Sequence, residues 1–384
     1  MRTKVIGYYN SKFGELWNKS LADLIDEAIA GVLQSVRLAR ADIDAVFFGN
    51  MLGGILENSL FNSALIAQIM ETTVPVYRLE AACASGGLAF QTATNYLKSN
   101  KNKTVLVLGA EKMTDVSVER ATEALTAASA AEEQIAGLTF PGLYAMMAQV
   151  YLHQYRYDEE HLAYISVKNH YHGSLNEKAQ FRKTITVDKV LASPYVAYPL
   201  KILSSSAISD GAAALILTND PVRVKSSRSA VDVLSSEVAT DCLAIKNRDS
   251  LTELYATQVA AEKAFCEAKI KRNRIDVAEV HDCFSIAEIL AMEDIGFWKR
   301  GEGGKKAKEM STQLGTNQRL VVNTSGGLKA AGHPVGATGV KQIGELFLQL
   351  TKQAKSRLVK NAHFALAHNV GGAGGMAVVS ILAV

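Results

Sequence analysis

One feature constrains this chain more than any other: a strand–helix alternation that runs twice in the same rhythm, with a break in the first copy. Residues 4–9 read as a strand, 21–38 carry apolar side chains at helical spacing, and 45–49 form a short apolar strand. A helix over 60–70, a strand over 74–79, a helix over 88–97 and a fully buried strand over 104–108 follow. Such alternation builds right-handed βαβ units, giving a mostly parallel sheet with helices on both faces. After about residue 230 the pattern returns, with strands over 231–234, 277–280, 320–323, 363–367 and 376–382 and helices over 251–268, 285–292 and 340–350. The expected organisation is two copies of one α/β unit, residues 1–222 and 223–384. Residues of about 115–200 interrupt the first copy with an alanine-rich segment, an aromatic-rich segment over 140–157 and a run of polar turns. Apolar residues recur throughout, so this stretch reads as an inserted, largely helical lobe, a common place for substrate binding over an α/β core.

Composition excludes several classes. With 384 residues, 48% hydrophobic and 21% charged, the chain has the make-up of an ordinary globular protein able to bury a large core. Net charge is +3 and the longest basic run, at 305–308, is short, which reads as a solvated loop and not a nucleic-acid surface. No apolar stretch reaches the ~18 residues of a membrane span. The N-terminus runs into patterned sequence without a signal-peptide apolar region, so a cytoplasmic setting is expected. The four cysteines, Cys83, Cys242, Cys266 and Cys283, form no CxxC pair, which leaves a structural zinc site unsupported. In a reducing compartment the useful question is which thiol reacts.

Chemistry concentrates in four places. Glu80-Ala81-Ala82-Cys83-Ala84-Ser85-Gly86-Gly87 sets a cysteine between an apolar strand and a helix, among residues too small to crowd it. A thiol at a helix N-terminus feels the positive end of the macrodipole and free N–H groups, which favour thiolate. Cys83 is thus expected to be the most reactive of the four thiols; the competing reading is a buried, inert cysteine. Gly332-His333-Pro334-Val335-Gly336-Ala337-Thr338-Gly339 places a histidine on a glycine-rich loop, suited to take a thiol proton, and fits neither GxGxxG nor GxxxxGK[ST]. His281-Asp282-Cys283-Phe284 lies at a strand end, where His281 and Cys283 can reach one pocket, or form only a structural turn. His368-Asn369-Val370-Gly371-Gly372 opens a glycine-rich hairpin whose backbone N–H groups can serve an oxyanion hole.

These segments, with Ser209-Asp210-Gly211-Ala212-Ala213-Ala214, stand in an order that resembles the thiolase superfamily across nearly the whole chain. HDCF resembles more narrowly the sterol-carrier-protein-type thiolases and their archaeal and bacterial relatives. The resemblance implies an α/β fold of two similar βαβαβαββ halves in five layers, αβαβα, with a loop domain inserted in the first. It implies an acyl-CoA C-acyltransferase interconverting two acetyl-CoA with acetoacetyl-CoA plus CoA, with no bound cofactor or metal beyond the coenzyme A thioesters themselves. By the same analogy Cys83 is acylated, His333 activates it, Cys283 is acid/base at the α-carbon, and His281 binds the thioester oxygen. The backbone N–H groups of Cys83 and Gly371 form the second oxyanion site. Many thiolases carry their second cysteine where this chain has Asn369, which leaves Cys283 as the candidate. Residues 140–147 and 170–181 are the expected coenzyme A surface, with Leu143 and Met146 bordering the acyl pocket.

Other readings share the set. A decarboxylating ketosynthase uses Cys, His and His, which Cys83, His281 and His333 satisfy. Acyl transfer to a non-CoA acceptor is a third possibility, and a non-enzymatic acyl-CoA-binding scaffold a fourth, disfavoured by the intact Cys/His set. The resemblance also implies a homodimer or higher homo-oligomer paired through the sheet edge. A small zinc-ribbon/OB-fold companion, and sometimes a hydroxymethylglutaryl-CoA synthase, would accompany it.

Overall fold

In the computed structural model, which describes residues 2–316 and 318–384, the two sequence copies become two five-stranded halves. The first holds β1 (Lys4–Asn10), β2 (Ala45–Gly49), β3 (Val76–Leu79), β4 (Thr104–Glu111) and β5 (Gly211–Thr218). The second holds β6 (Val231–Thr240), β7 (Val277–Glu279), β8 (Val321–Val322), β9 (Phe364–Gly371) and β10 (Met376–Ala383). Their spatial orders, β3-β2-β4-β5-β1 and β8-β7-β9-β10-β6, match strand for strand. Antiparallel pairing of β1 with β6, Lys4 opposite Asp232 and Val5 opposite Val231, joins them into one ten-stranded sheet. The sheet is mixed and not mostly parallel. β2 runs parallel to β3 and β4, and β7 to β8 and β9. β5 and β10 are antiparallel to their neighbours. The reason is connection type: β5 returns from the lobe and β10 follows β9 through a hairpin, so neither arrives by the helical crossover a parallel neighbour requires.

Helix α1 (Leu21–Val36) covers the outer face of the first half, opened by a reciprocal cap between Ser20 and Asp23. Helix α2 (Ser85–Ser99) lies on the inner face. In the lobe, α3 (Phe140–Tyr155) and α4 (Glu159–Ser174) pack with the helix over Ser285–Asp294 around Leu143, Tyr144, Tyr151, Ile165, Phe284 and Leu290. Helix α5 (Tyr255–Ala268) covers the outer face of the second half, and α6 (Ser285–Asp294) follows β7. Helix α7 (Val335–Leu350) packs on α2 between the halves, and all of its residues but Leu348 are buried. The layers therefore run αβαβα, with the central core (Phe90, Leu215, Leu217, Val340, Ile343, Ala365) enclosed by both halves. Helix α4 falls among residues that read as polar turns. Its buried face carries Ser166, Lys168, Asn169, His170 and His172, so apolar periodicity could not reveal it. No helix of the described residues is long and apolar enough to cross a membrane.

Candidate active site

The chain leaves β3 and enters α2 through an elbow at residues 80–84. Ala82 sits at φ 48°, a left-handed conformation that a residue with a Cβ rarely adopts. Two side chains hold it there. The Ala82 N–H donates to Glu80 Oε1 at 2.6 Å, and Ser85 Oγ accepts from the Ala81 N–H at 2.9 Å while donating to the Ala82 carbonyl at 2.6 Å. The elbow presents Cys83 just ahead of the helix N-terminus. The amides of Gly372 and of Cys83 itself favour thiolate, yet burial dominates and pushes the thiol up to about 12. Desolvation therefore outweighs the helix-end preference for thiolate. Cys83 is buried, whereas Cys242 and Cys266 are exposed.

His333 reaches Cys83 from the loop between the short helix Gly327–Ala331 and α7. Its N–H donates to Ser209 Oγ at 3.0 Å, and Glu111 accepts the Gly336 N–H at 3.0 Å, so the loop is pinned on both sides of the ring. Nδ1 lies 2.7 Å from Thr338 Oγ1, whose own hydrogen goes to the Pro334 carbonyl. Thr338 can then only accept, so Nδ1 carries the ring proton and Nε2 keeps a free lone pair. Nε2 is buried without a partner in the protein. Burial, reinforced by Lys341, lowers the imidazole to about 3 and keeps it neutral.

His281 follows β7 and has the opposite tautomer. Its Nδ1 faces the Asn369 side-chain N–H at 3.3 Å, a group that can only donate, so Nδ1 accepts and Nε2 bears the proton. His281 Nε2 is also buried without a partner. Burial first, then His333 and His368, hold this ring neutral, well below its ordinary range. Cys83 Sγ and one nitrogen from each of His281 and His333 lie within 4.8 Å of one another. A Cys-His-His set at such spacing could ligate a soft metal. The proton that Asn369 leaves on His281 Nε2 opposes this.

Along residues 281–283 the side chains diverge. Asp282 turns away, accepting from the Leu328 N–H at 2.6 Å and from Asn169 at 2.7 Å. This packing is why residue 327 is glycine: it has φ 62°, and a Cβ there would lie 2.2 Å from the Asp282 carboxylate. Cys283 turns inward with His281. Burial, then the neighbouring Cys83, pushes its thiol well up, while the Tyr144 phenol beside it favours thiolate. Tyr144 is fully buried, donates to the Gly372 carbonyl at 3.2 Å and packs on Phe284 at 4.9 Å between ring centroids. Tyr144 falls within the expected coenzyme A surface, 140–147, but neither its approach to Cys283 nor the contacts of Asn369 were legible in the sequence. Tyr144 stood in an aromatic-rich helix, where rings are ordinary core.

Leu143 is buried in the cluster that holds Cys283 and Phe284, with Met146 partly buried against it. Gly371 lines a cavity of about 430 Å³ beside the elbow, together with Glu80, Ala82, Ser129, Leu243 and Gly372. Between residues 170 and 181 only Glu177 and Phe181 are exposed.

Comparison with known proteins agrees with this architecture. Residues 3–221 match the family model described as "Thiolase, N-terminal domain", and residues 238–384 match "Thiolase C-terminal domain-like". The chain is 43% identical over 378 residues to an acetyl-CoA acetyltransferase of Methanothermobacter thermautotrophicus, covering 98% of each chain. It is 31% identical over 396 residues to human sterol carrier protein 2, covering 99% of this chain and 71% of that one. Among solved structures, a chain of the Ltp2-ChsH2(DUF35) aldolase superposes with a TM-score of 0.85 at 18% identity, covering 99% of this chain and 97% of that one, which is a likeness of fold. On fold, on both family domains and on near-complete coverage by its relatives, the chain belongs to the thiolase family.

Proposed function

We propose that the protein is an acetyl-CoA C-acetyltransferase, interconverting two acetyl-CoA with acetoacetyl-CoA plus CoA through a thioester on Cys83. The observation that carries this reading is the meeting of Cys83 with two neutral histidines of opposite tautomer. His333 Nε2, holding a lone pair, takes the Cys83 proton as the sulfur attacks acetyl-CoA, and returns it to the departing CoA thiolate. A resting thiol near 12 beside a base near 3 means that the proton moves only as the bond forms. The acetyl-enzyme then meets a second acetyl-CoA. Cys283 passes its proton to the His333 imidazole and, as thiolate, removes a methyl proton while His281 Nε2–H donates to the thioester oxygen on which charge gathers. The carbanion attacks the acetyl-Cys83 carbonyl, whose oxygen is held by the amides of Cys83 and Gly371. Collapse releases Cys83 as thiolate, which regains a proton from the His333 imidazolium and leaves Cys283 as the thiol.

A decarboxylating condensation needs no base at the α-carbon and would leave Cys283 without a task, so the non-decarboxylating reaction is preferred. We further propose the division into 1–222 and 223–384 with a lobe over about 115–200, and Leu143 and Met146 as the acyl border. A homodimer would pair through β3, the edge strand, near exposed Leu60, Phe61 and Tyr77. A small zinc-ribbon/OB-fold companion and a cytoplasmic location complete the reading. The test is direct: purified protein supplied with acetoacetyl-CoA and CoA releases acetyl-CoA, and mass spectrometry finds the acetyl adduct on Cys83. No thiolysis and no adduct would overturn it.

A further inference from the structure

Asn369 makes three contacts, and all are buried. Its Oδ1 accepts the Gly87 N–H at 3.1 Å, and its Nδ2 donates both to the Cys83 carbonyl at 3.1 Å and toward His281 Nδ1 at 3.3 Å. The two backbone contacts fix which way the amide points, because reversing it would set N–H against N–H at Gly87 and oxygen against oxygen at Cys83. With the amide fixed, His281 Nδ1 has a donor in front of it and must accept. The surrounding backbone makes room for this amide. A Cβ at Gly339 would lie 2.3 Å from Asn369 Oδ1, and one at Gly87 would lie 2.8 Å away.

We propose that Asn369 is a positioning residue that fixes the proton of His281 on Nε2, so that the imidazole presents a donor and never a base to the thioester oxygen. The inference rests on the reading of His281 as that donor. A tie between hairpin and elbow would need only the contacts to Cys83 and Gly87. The second N–H, spent on His281, is what a tie does not explain. The choice of an amide also matters chemically. A carboxylate on Nδ1 would draw the proton to that side and make Nε2 basic, the arrangement that suits a general base. An amide N–H does the reverse, and it leaves His333 as the ring in this pair with a free lone pair at the thiol.

The test uses ¹⁵N-histidine-labelled full-length protein, with the His281 signals assigned by their loss in His281→Gln. Wild type is expected to show a protonated Nε2 and an unprotonated Nδ1. In Asn369→Ala and Asn369→Asp a protonated Nδ1 signal should emerge. In Asn369→Ala, condensation and exchange of the acetyl-CoA methyl protons into heavy water should fall about 10²-fold further than Cys83 acetylation, since a mis-set tautomer costs up to ~10⁴ in a related acid–base site. A protonated Nδ1 in wild type, or an unmoved tautomer in both variants, overturns the inference and leaves the role of His281 standing. A moved tautomer with condensation and acetylation still in step overturns the donor role of His281, and the inference with it. The wild-type spectrum decides the tautomer even if neither variant folds.

Discussion

His281 and His333 meet edge to face, with ring centroids 5.2 Å apart and planes at 82°. Their partners set them oppositely: Thr338 leaves His333 with a lone pair at Nε2, and Asn369 leaves His281 with a proton there. Two rings of one residue type thus offer a base and a donor to one substrate space. His333→Ala should slow acetylation of Cys83 by about 10²–10⁴-fold, whereas His281→Ala should spare acetylation and impair condensation by a similar factor. Rapid-quench measurement of acyl-enzyme formation separates the two. Equal loss of acetylation in both variants would refute the division.

Cys283→Ala should still form acetyl-Cys83 but lose condensation and methyl-proton exchange by roughly two to four powers of ten. Loss of one buried sulfur should cost only about 1 kcal/mol of stability. Near-normal exchange in heavy water would remove Cys283 from the mechanism. Tyr144→Phe keeps the ring on Phe284 and deletes the hydroxyl that donates to the Gly372 carbonyl and favours the Cys283 thiolate, so exchange should slow by up to about tenfold.

The pH dependence follows from burial. A thiol raised to about 12 beside an imidazole lowered to about 3 is a neutral pair at rest, not a thiolate–imidazolium pair. Raising pH increases the thiolate fraction of Cys83 tenfold per unit as long as pH stays below about 12. Iodoacetamide alkylation of Cys83 should therefore climb across pH 7–9 in that proportion, in protein whose exposed Cys242 and Cys266 have been replaced by serine. A flat profile through neutrality would mean a preformed ion pair. With all four thiols present, a small reagent should label the exposed Cys242 and Cys266 ahead of Cys83, reversing the order expected from helix-end activation alone.

Glu111 anchors the site from beneath. Its carboxylate accepts from Asn50 Nδ2 at 2.8 Å, the Leu52 N–H at 2.9 Å, and the Met51 and Gly336 N–H groups at 3.0 Å each. Glu111→Gln turns one acceptor into a donor facing two donors, and should destabilise the fold by about 2–4 kcal/mol. A urea midpoint that falls with unchanged slope is the expected result. An unshifted midpoint would show that the four contacts contribute little.

The sequence by itself determined the alternating α/β plan and pointed to the candidate reacting groups. Apolar periodicity is local, so the alternation of strands and helices could be read within windows of a few residues; Cys83 and His333 stand out by small or glycine-rich neighbours, and His281 and Cys283 by sharing one strand end. Tertiary structure alone decided how those groups are set. Asn369 and Cys83 are 286 residues apart, and Tyr144 reaches Gly372 across 228, so no local pattern marks either contact. Helix α4 was hidden for a related reason, since much of its inward face is polar, and Lys168, Asn169 and His172 there find partners in the second half, Glu288, Asp282 and Asn323. Protonation was decided the same way. The raised thiol of Cys83 and the neutral rings of His281 and His333 come from desolvation, a sum over neighbours that only the folded chain brings together.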